Sequence, residues 1–170
     1  MRVPADPALR PTSDRVREAL FNILGQDLSG FDVLDLYAGS GAIGFEALSR
    51  GARRVVFVEA SPKTAESIRR SAEELSLGPD ARVIVGRVED VLDRPRLGGP
   101  YHVIVADPPY SAAVEATLVS GIDASRLLGM HGTLVIERES RNPSESGSAR
   151  LKLVRTAAYG RSALDFFKYL

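Results

Sequence analysis

The sequence predicts an α/β fold: a mostly parallel, seven-stranded sheet with helices on both faces and a C-terminal antiparallel hairpin. Three observations predict it. Short apolar runs alternate with stretches of helical period through most of the chain, the pattern of strands joined by crossover helices. Polar, glycine- or proline-bearing clusters recur where those apolar runs end, at Asp35 to Gly41, Glu59, Arg87-Val88 and Asp107 to Tyr110. The tail instead alternates, with Leu151 and Leu153, then Leu164, Phe166 and Tyr169, which reads as two strands joined near Gly160.

Each element follows from local chemistry. Residues 1–11 carry Pro4, Pro7 and Pro11 and read as an extended N-terminal arm. Thr12 or Ser13 suits a helix N-cap, with Asp14 favoured in the first turn by the dipole. Val16, Ala19, Leu20, Ile23 and Leu24 then form one apolar helical face, with Arg15, Arg17 and Glu18 off it, and Gly25 and Gly30 mark the exit. The first strand, Val33 to Tyr37, runs into Ala38-Gly39-Ser40-Gly41 and a helix through Phe45, Ala47 and Leu48 to Gly51. Arg54 to Val58 is the second strand, ending at Glu59, and a helix follows from Pro62 to about Leu75. Arg82 to Val85 is the third strand, followed by Gly86-Arg87-Val88 and a short helix from Glu89 towards Arg94. Val103 to Ala106 is the fourth strand. It must stop at Asp107, because Pro108 and Pro109 have fixed φ and no N–H to donate. A helix near Val114 to Ser120, a break around Gly129, a fifth strand from Gly132 to Arg138 and a polar loop over Glu139 to Ala149 complete the body. The expected division is an arm over 1–11 and one domain over 12–170.

Bulk properties exclude several classes. A chain of 170 residues suits one domain with a real core. Its 22 Lys and Arg balance 22 Asp and Glu, so any nucleic-acid surface must be local. With no cysteine there is no disulfide framework or thiolate chemistry, which fits a reducing compartment such as the cytoplasm. No apolar run approaches membrane-spanning length, and the proline-rich, charged start is no signal peptide. Neither His102 nor His131 falls at a strand's carboxyl end, and no metal site is expected.

In open α/β sheets ligands bind beyond the strands' carboxyl ends, so the four clusters point to one site. Gly39, Gly41 and Gly44 match G-x-G-x-x-G, and Glu59 lies at the spacing that binds ribose hydroxyls. A dinucleotide-dependent oxidoreductase is therefore one reading. S-adenosyl-L-methionine offers the same ribose but carries an ammonium and a sulfonium where a dinucleotide carries pyrophosphate. Asp35 and Asp107 would attract those cations and repel a pyrophosphate, which favours S-adenosylmethionine.

Asp35-Leu36-Tyr37-Ala38-Gly39-Ser40-Gly41 resembles the cofactor loop of class I methyltransferases, and Asp107-Pro108-Pro109-Tyr110 resembles the motif of enzymes that methylate a planar amino nitrogen. Arg10-Pro11-Thr12, Asp14 to Asn22 and the late Tyr159-Gly160 are similar to the RsmD family, over essentially the whole chain. The resemblance implies a Rossmann-like class I methyltransferase fold and methylation of the exocyclic N2 of a guanine in 16S rRNA, at position 966. It implies that Asp35 and the loop Ala38, Gly39, Ser40 and Gly41 hold the methionine end, that Glu59 binds the ribose hydroxyls, that Arg87 and Val88 flank the adenine, and that Tyr37, Ala60 and Asp107 also contact the cofactor. Asp107 and the Pro108 carbonyl would accept the target amine's two N–H groups, with Tyr110 stacked on the flipped base. Arg10, Thr12, Arg15, Arg17 and Arg161 would face the RNA, with Arg150, Lys152 and Arg155 extending a basic surface. Members of that family usually begin with a basic, Gly- and Arg-rich arm before the equivalent of Val3, so the resemblance leads one to expect that arm to be either truncated or absent ahead of Met1-Arg2-Val3. The expected partner is 16S rRNA, alone or within the assembling small subunit, and the expected state is a monomer. A DNA amino-methyltransferase acting on adenine N6 or cytosine N4 stays open, because Asp-Pro-Pro-Tyr suits any planar amine.

Overall fold

The computed structural model describes residues 11–94, 97–109, 111–144 and 147–170. Seven strands form one sheet in the order β3-β2-β1-β4-β5-β7-β6. They are β1 (Asp32–Leu36), β2 (Arg54–Glu59), β3 (Ala81–Val85), β4 (Tyr101–Ala106), β5 (Leu128–Glu139), β6 (Leu151–Tyr159) and β7 (Ser162–Tyr169). The pairs among β3, β2, β1, β4 and β5 are parallel. β7 runs antiparallel between β5 and β6. The tail is thus the expected hairpin, but its second strand lies inside and its first forms the edge. Lys152 and Arg155 on that outer strand suit an edge, where charge discourages pairing with another chain.

Side chains alternate across each strand, so each face has its own core. Leu34, Leu36, Ile104, Ala106, Leu134 and Ile136 pack with Val88 and Val91 of α4 (Val88–Val91) and with Leu118, Val119 and Ile122 of α5 (Ala112–Ser125). Val33, Val55, Phe57, Val105, Val135 and Leu164 meet the other layer. That layer is α1 (Pro11–Leu24), α2 (Ala42–Ser49) and α3 (Pro62–Glu74), contributing Val16, Leu20, Phe21, Ala47 and Ile68. Among the described residues, 35 buried apolar side chains would mean little if scattered; divided between two faces they make the three-layer sandwich that crossover topology requires.

Several boundaries differ from expectation. α1 already begins at Pro11, so Thr12 and Ser13 lie within its first turn and neither is the N-cap; a proline there loses no helical bond. The rest of the expected arm, residues 1–10, lies outside the described residues. β1 stops at Leu36, because Tyr37 turns into the left-handed region at φ 57°. β5 starts at Leu128 and runs through Gly129, with a register shift against β4 between Tyr101 and Val103 absorbing the glycine-rich stretch. α5 is longer than the Val114 to Ser120 core of its apolar pattern, capped by the Ser111 hydroxyl on the Val114 N–H. α4 is a single turn, shorter than the expected helix from Glu89 to Arg94.

Candidate active site

The glycine loop is built to be held by acids. The Ala38 N–H donates to the Val58 carbonyl at 3.0 Å, carrying β1's hydrogen bonding one residue past its end. Gly41, at φ 79°, then opens α2 in a conformation that favours glycine. A Cβ on Gly44 would overlap the Phe57 ring, so this glycine brings α2 tight against the sheet. The Gly39 N–H donates to Glu59 Oε2 at 2.8 Å, and the Gly44 N–H donates to Asp35 Oδ2 at 3.1 Å. Both motif acids therefore bind backbone N–H groups of the loop that a phosphate would otherwise occupy.

Asp35 is buried on the α1–α3 side of the sheet, level with Val105 and Phe57. Burial pushes its carboxyl up to about 8 despite the Gly44 bond, and the charges of Asp107 and Glu59 push the same way. Glu59 accepts a second bond, from the Ser61 N–H at 3.1 Å. Each of its oxygens so far accepts one N–H, and a carboxylate oxygen has a second lone pair for a hydroxyl.

A cleft of about 600 Å³ opens over the strands' carboxyl ends, lined by Tyr37, Val58, Glu59, Ala60, Gly86 to Glu89 and Asp107 to Pro109. Seven expected site residues share it: Tyr37, Glu59, Ala60, Arg87, Val88, Asp107 and Pro108. Asp107 is exposed at its tip, yet loss of hydration against the cleft floor raises its carboxyl pKa. The Tyr37 hydroxyl donates to Glu89 Oε1 at 3.1 Å. A second cavity of about 400 Å³ continues from Tyr37, Val88 and Glu89 towards Leu92, Thr117 and Leu118 of α5. Glu89, absent from the expected set, thus stands where the two spaces meet; its place at the start of the turn after β3 was the available signal.

Other expected residues lie elsewhere. Asp35 is beneath the loop and not on the cleft wall, and Ser40 is exposed on the loop's outer side. Tyr110 and Arg10 lie outside the described residues. Thr12, Arg15 and Arg17 fall in the first half of α1, where Arg17 pairs with Asp14 at 3.2 Å. Leu24, at the other end of α1, lines a cleft with Phe31 and His102 near the amino ends of the strands. The functional edge lies at the opposite, carboxyl ends of the strands. Arg161 sits in the β6–β7 turn at that same edge, where its carbonyl accepts from the Ser140 N–H at 2.8 Å. The basic tail residues do not form one patch. Lys152 pairs with Lys168 towards the far end of the hairpin, and Arg150 binds Asp123 at 2.7 Å there, well away from Arg161. His102 is structural: its Nδ1 accepts from the Asp32 N–H at 3.0 Å and its ring stacks on Phe31.

Glu137 on β5 was also missed. Val105 of β4 pairs with Val135, and Ala106 with Ile136, so the next step places Glu137 level with Asp107 and on its face of the sheet. Burial pushes Glu137 up to about 7, with the Asp107 charge adding to it and a Ser162 hydrogen bond opposing. Only the register reveals this, because in sequence Glu137 is one of several acids in Glu137-Arg138-Glu139.

The family model described as conserved hypothetical protein 95 matches residues 1–168. YlbH of Bacillus subtilis is 32% identical over 99% of this chain and 92% of its own length. Ribosomal RNA small subunit methyltransferase D of Escherichia coli K12 is 31% identical over 98% of this chain and 82% of its own. The solved structure of yhhF from Escherichia coli superposes with a TM-score of 0.86 at 30% identity, covering 99% of this chain and 91% of that one. The strand order, the acid-bound glycine loop and these matches agree, and the chain belongs to the RsmD family.

Proposed function

We propose that this protein transfers a methyl group from S-adenosyl-L-methionine to the exocyclic N2 of a guanine in 16S rRNA, at position 966. One observation carries the choice of cofactor. The Gly39 and Gly44 N–H groups are already bound by Glu59 and Asp35, and Asp107 and Glu137 stand nearby. A pyrophosphate would meet acids where it needs donors. A sulfonium and an ammonium would relieve the repulsion among those acids, so the residues present fit S-adenosylmethionine and disfavour NAD. The acid and paired prolines at the exit of β4 and the names of the relatives support the target class.

When bound, S-adenosylmethionine supplies a methyl carbon made electrophilic by its sulfonium. The residues of this chain do the rest. Glu59 takes the ribose hydroxyls on its free lone pairs, with Ala60 against the sugar. Tyr37, Arg87 and Val88 flank the adenine. Asp35, through Gly44, fixes the loop that faces the methionine end. Asp107 and the Pro108 carbonyl accept the two N–H bonds of the target amine, aiming its lone pair at the methyl carbon. As the N–C bond forms and the C–S bond breaks, positive charge grows on that nitrogen and strengthens both contacts. Such differential binding is what lowers the barrier. The surplus proton leaves the nitrogen afterwards to solvent. Tyr110 stacks on the unstacked base, and Arg15, Arg17 and Arg161 hold phosphates from both sides of the cleft mouth. The protein acts as a monomer, on rRNA shaped by the assembling small subunit.

The test is transfer of labelled methyl groups to small ribosomal subunits lacking this modification, beside duplex DNA, with nucleosides resolved by mass spectrometry. N2-methylguanosine in the rRNA is the expected product. N6-methyladenine or N4-methylcytosine in the duplex, with unlabelled rRNA, would reassign the enzyme to DNA.

A further inference from the structure

One step past the last β4–β5 pair, Ala106 with Ile136, the chain sets Glu137 beside Asp107. Parallel strands lie about 4.8 Å apart, so side chains at one level of adjacent strands can reach the same ligand edge. Glu137 is half-buried and borders Pro108 and Pro109, the residues that turn the chain out of the sheet. Its opposite neighbour on β7 is Leu164, and its polar partner is Ser162. The adjacent cation, Arg138, is committed to Asp165 at 2.6 Å on the other face. Glu137 therefore lies beside the Asp-Pro-Pro turn, in a crevice just behind the cleft, with lone pairs to spare beyond the Ser162 bond, and Asp107's own charge makes a positive or N–H partner welcome there.

Resting on the proposed reaction, we infer that Glu137 is the residue that selects guanine, by accepting the N1–H next to the amine held by Asp107 and Pro108. The chemistry separates the candidate bases. Guanine presents N1–H and the N2 amine side by side, an unbroken row of donors. Adenine and cytosine present a ring nitrogen lone pair beside the amine. An ionised carboxylate there, as at pH 8 where Glu137 has lost its proton, binds the first and repels the other two, whereas Asp107 and Pro108 alone would hold any planar amine. A site built to bond a polar group rejects analogues lacking it far better than an apolar pocket rejects a change of size.

2-Aminopurine tests this, because it keeps the 2-amino group but has a lone pair in place of N1–H. Small subunits assembled on rRNA carrying guanine or 2-aminopurine at the target position are incubated with full-length protein and labelled cofactor. The wild type is expected to prefer guanine by at least about 10²-fold. Glu137→Gln should narrow that preference at least about tenfold, losing rate on guanine and gaining rate on 2-aminopurine, because an amide N–H can donate to the N1 lone pair. Glu137→Ala should lose guanine and gain nothing, which separates hydrogen-bond selection from a change in shape. Equal wild-type rates on the two bases would overturn the inference without any variant. So would an unchanged preference in Glu137→Gln that still methylates guanine. No transfer by the wild type to guanine N2 would instead remove the proposed reaction itself.

Discussion

Asp32 and Asp35 are three residues apart on β1, and each is 3% exposed. Their surroundings are opposite. Asp32, at the amino end, receives Arg53 Nε at 2.9 Å and Arg54 at 3.1 Å, and these bonds, Arg53's first, hold its carboxyl below the usual range. Asp35, at the carboxyl end, has one backbone N–H and two neighbouring acids, and is pushed up to about 8. Asp165 on β7 repeats the first solution in full burial, with Arg138, Thr156 and Ser144 around it. A carboxylate that only supports the fold is neutralised from within. At the carboxyl end Asp35 and Asp107 have no ion pair among the described residues and their carboxyls are raised, and strongly perturbed acids of that kind mark functional sites. A cationic ligand completes what Arg53 completes at the other end.

The comparison breaks hardest at Asp165. Arg138→Ala should strand that buried carboxylate and cost about 3–5 kcal/mol of stability in urea titrations. A loss under about 1 kcal/mol would mean the pair is not structural. Next comes Asp107→Ala, which should keep the melting temperature within a few degrees yet slow methyl transfer by at least about 10²-fold. The two substitutions should thus separate cleanly, one reading out in stability and the other in turnover.

Much of this contrast could be read from the sequence, and the remainder could not for a definable reason. Hydrophobic period located all seven strands, because burial on one or two faces is written locally at period two. The prolines after Asp107 fixed where β4 ends by their own covalent geometry. Which acids are neutralised depends on pairings across the chain: Asp32 with Arg53, Arg138 with Asp165 27 residues later, Gly44 with Asp35. Glu137 is the sharpest instance. Nothing around it in sequence differs from Glu139, and only the β4–β5 register sets it beside Asp107. The order of the tail strands escaped for the same reason, since alternation reports a face and not a neighbour.

A smaller effect sharpens the contrast between Asp32 and Asp35. A carboxyl raised to about 8 in the folded chain, against about 3.9 when unfolded, binds an extra proton only in the fold. Stability should therefore fall as pH rises between those values and level off above about 8. Asp35→Asn keeps an oxygen for the Gly44 N–H and removes the charge. It should raise the melting temperature at pH 8 by at least about 3 °C and flatten the slope. Asp32→Asn should do the reverse, because a lowered carboxyl stabilises above its unfolded pKa and loses that contribution as pH falls. Equal shifts of the same sign would erase the distinction between the two ends of β1.

The smallest effect is a fraction of a proton, and it bears directly on the cofactor. At about pH 6.5 Asp35, beneath the glycine loop, and Glu137, beside the Asp-Pro-Pro turn, hold protons, at about 8 and about 7 respectively. The α-ammonium of S-adenosylmethionine is also fully formed at that pH. Placing two positive charges near those carboxyls favours their ionised forms, so binding should expel up to about one proton. Calorimetry in buffers of different ionisation enthalpy measures that release as the slope of observed heat against buffer heat. Affinity should correspondingly rise with pH between about 6 and 7, before the ligand's own ammonium begins to titrate. Asp35→Asn and Glu137→Gln should each lose part of the release, because both carboxyls are mostly protonated at that pH. Asp32→Asn should change nothing, its carboxyl being ionised with or without ligand. A zero slope in the wild type would show that the acids at the cleft are neutralised from within after all, as Asp32 and Asp165 are, and that the cleft is not built for a cation.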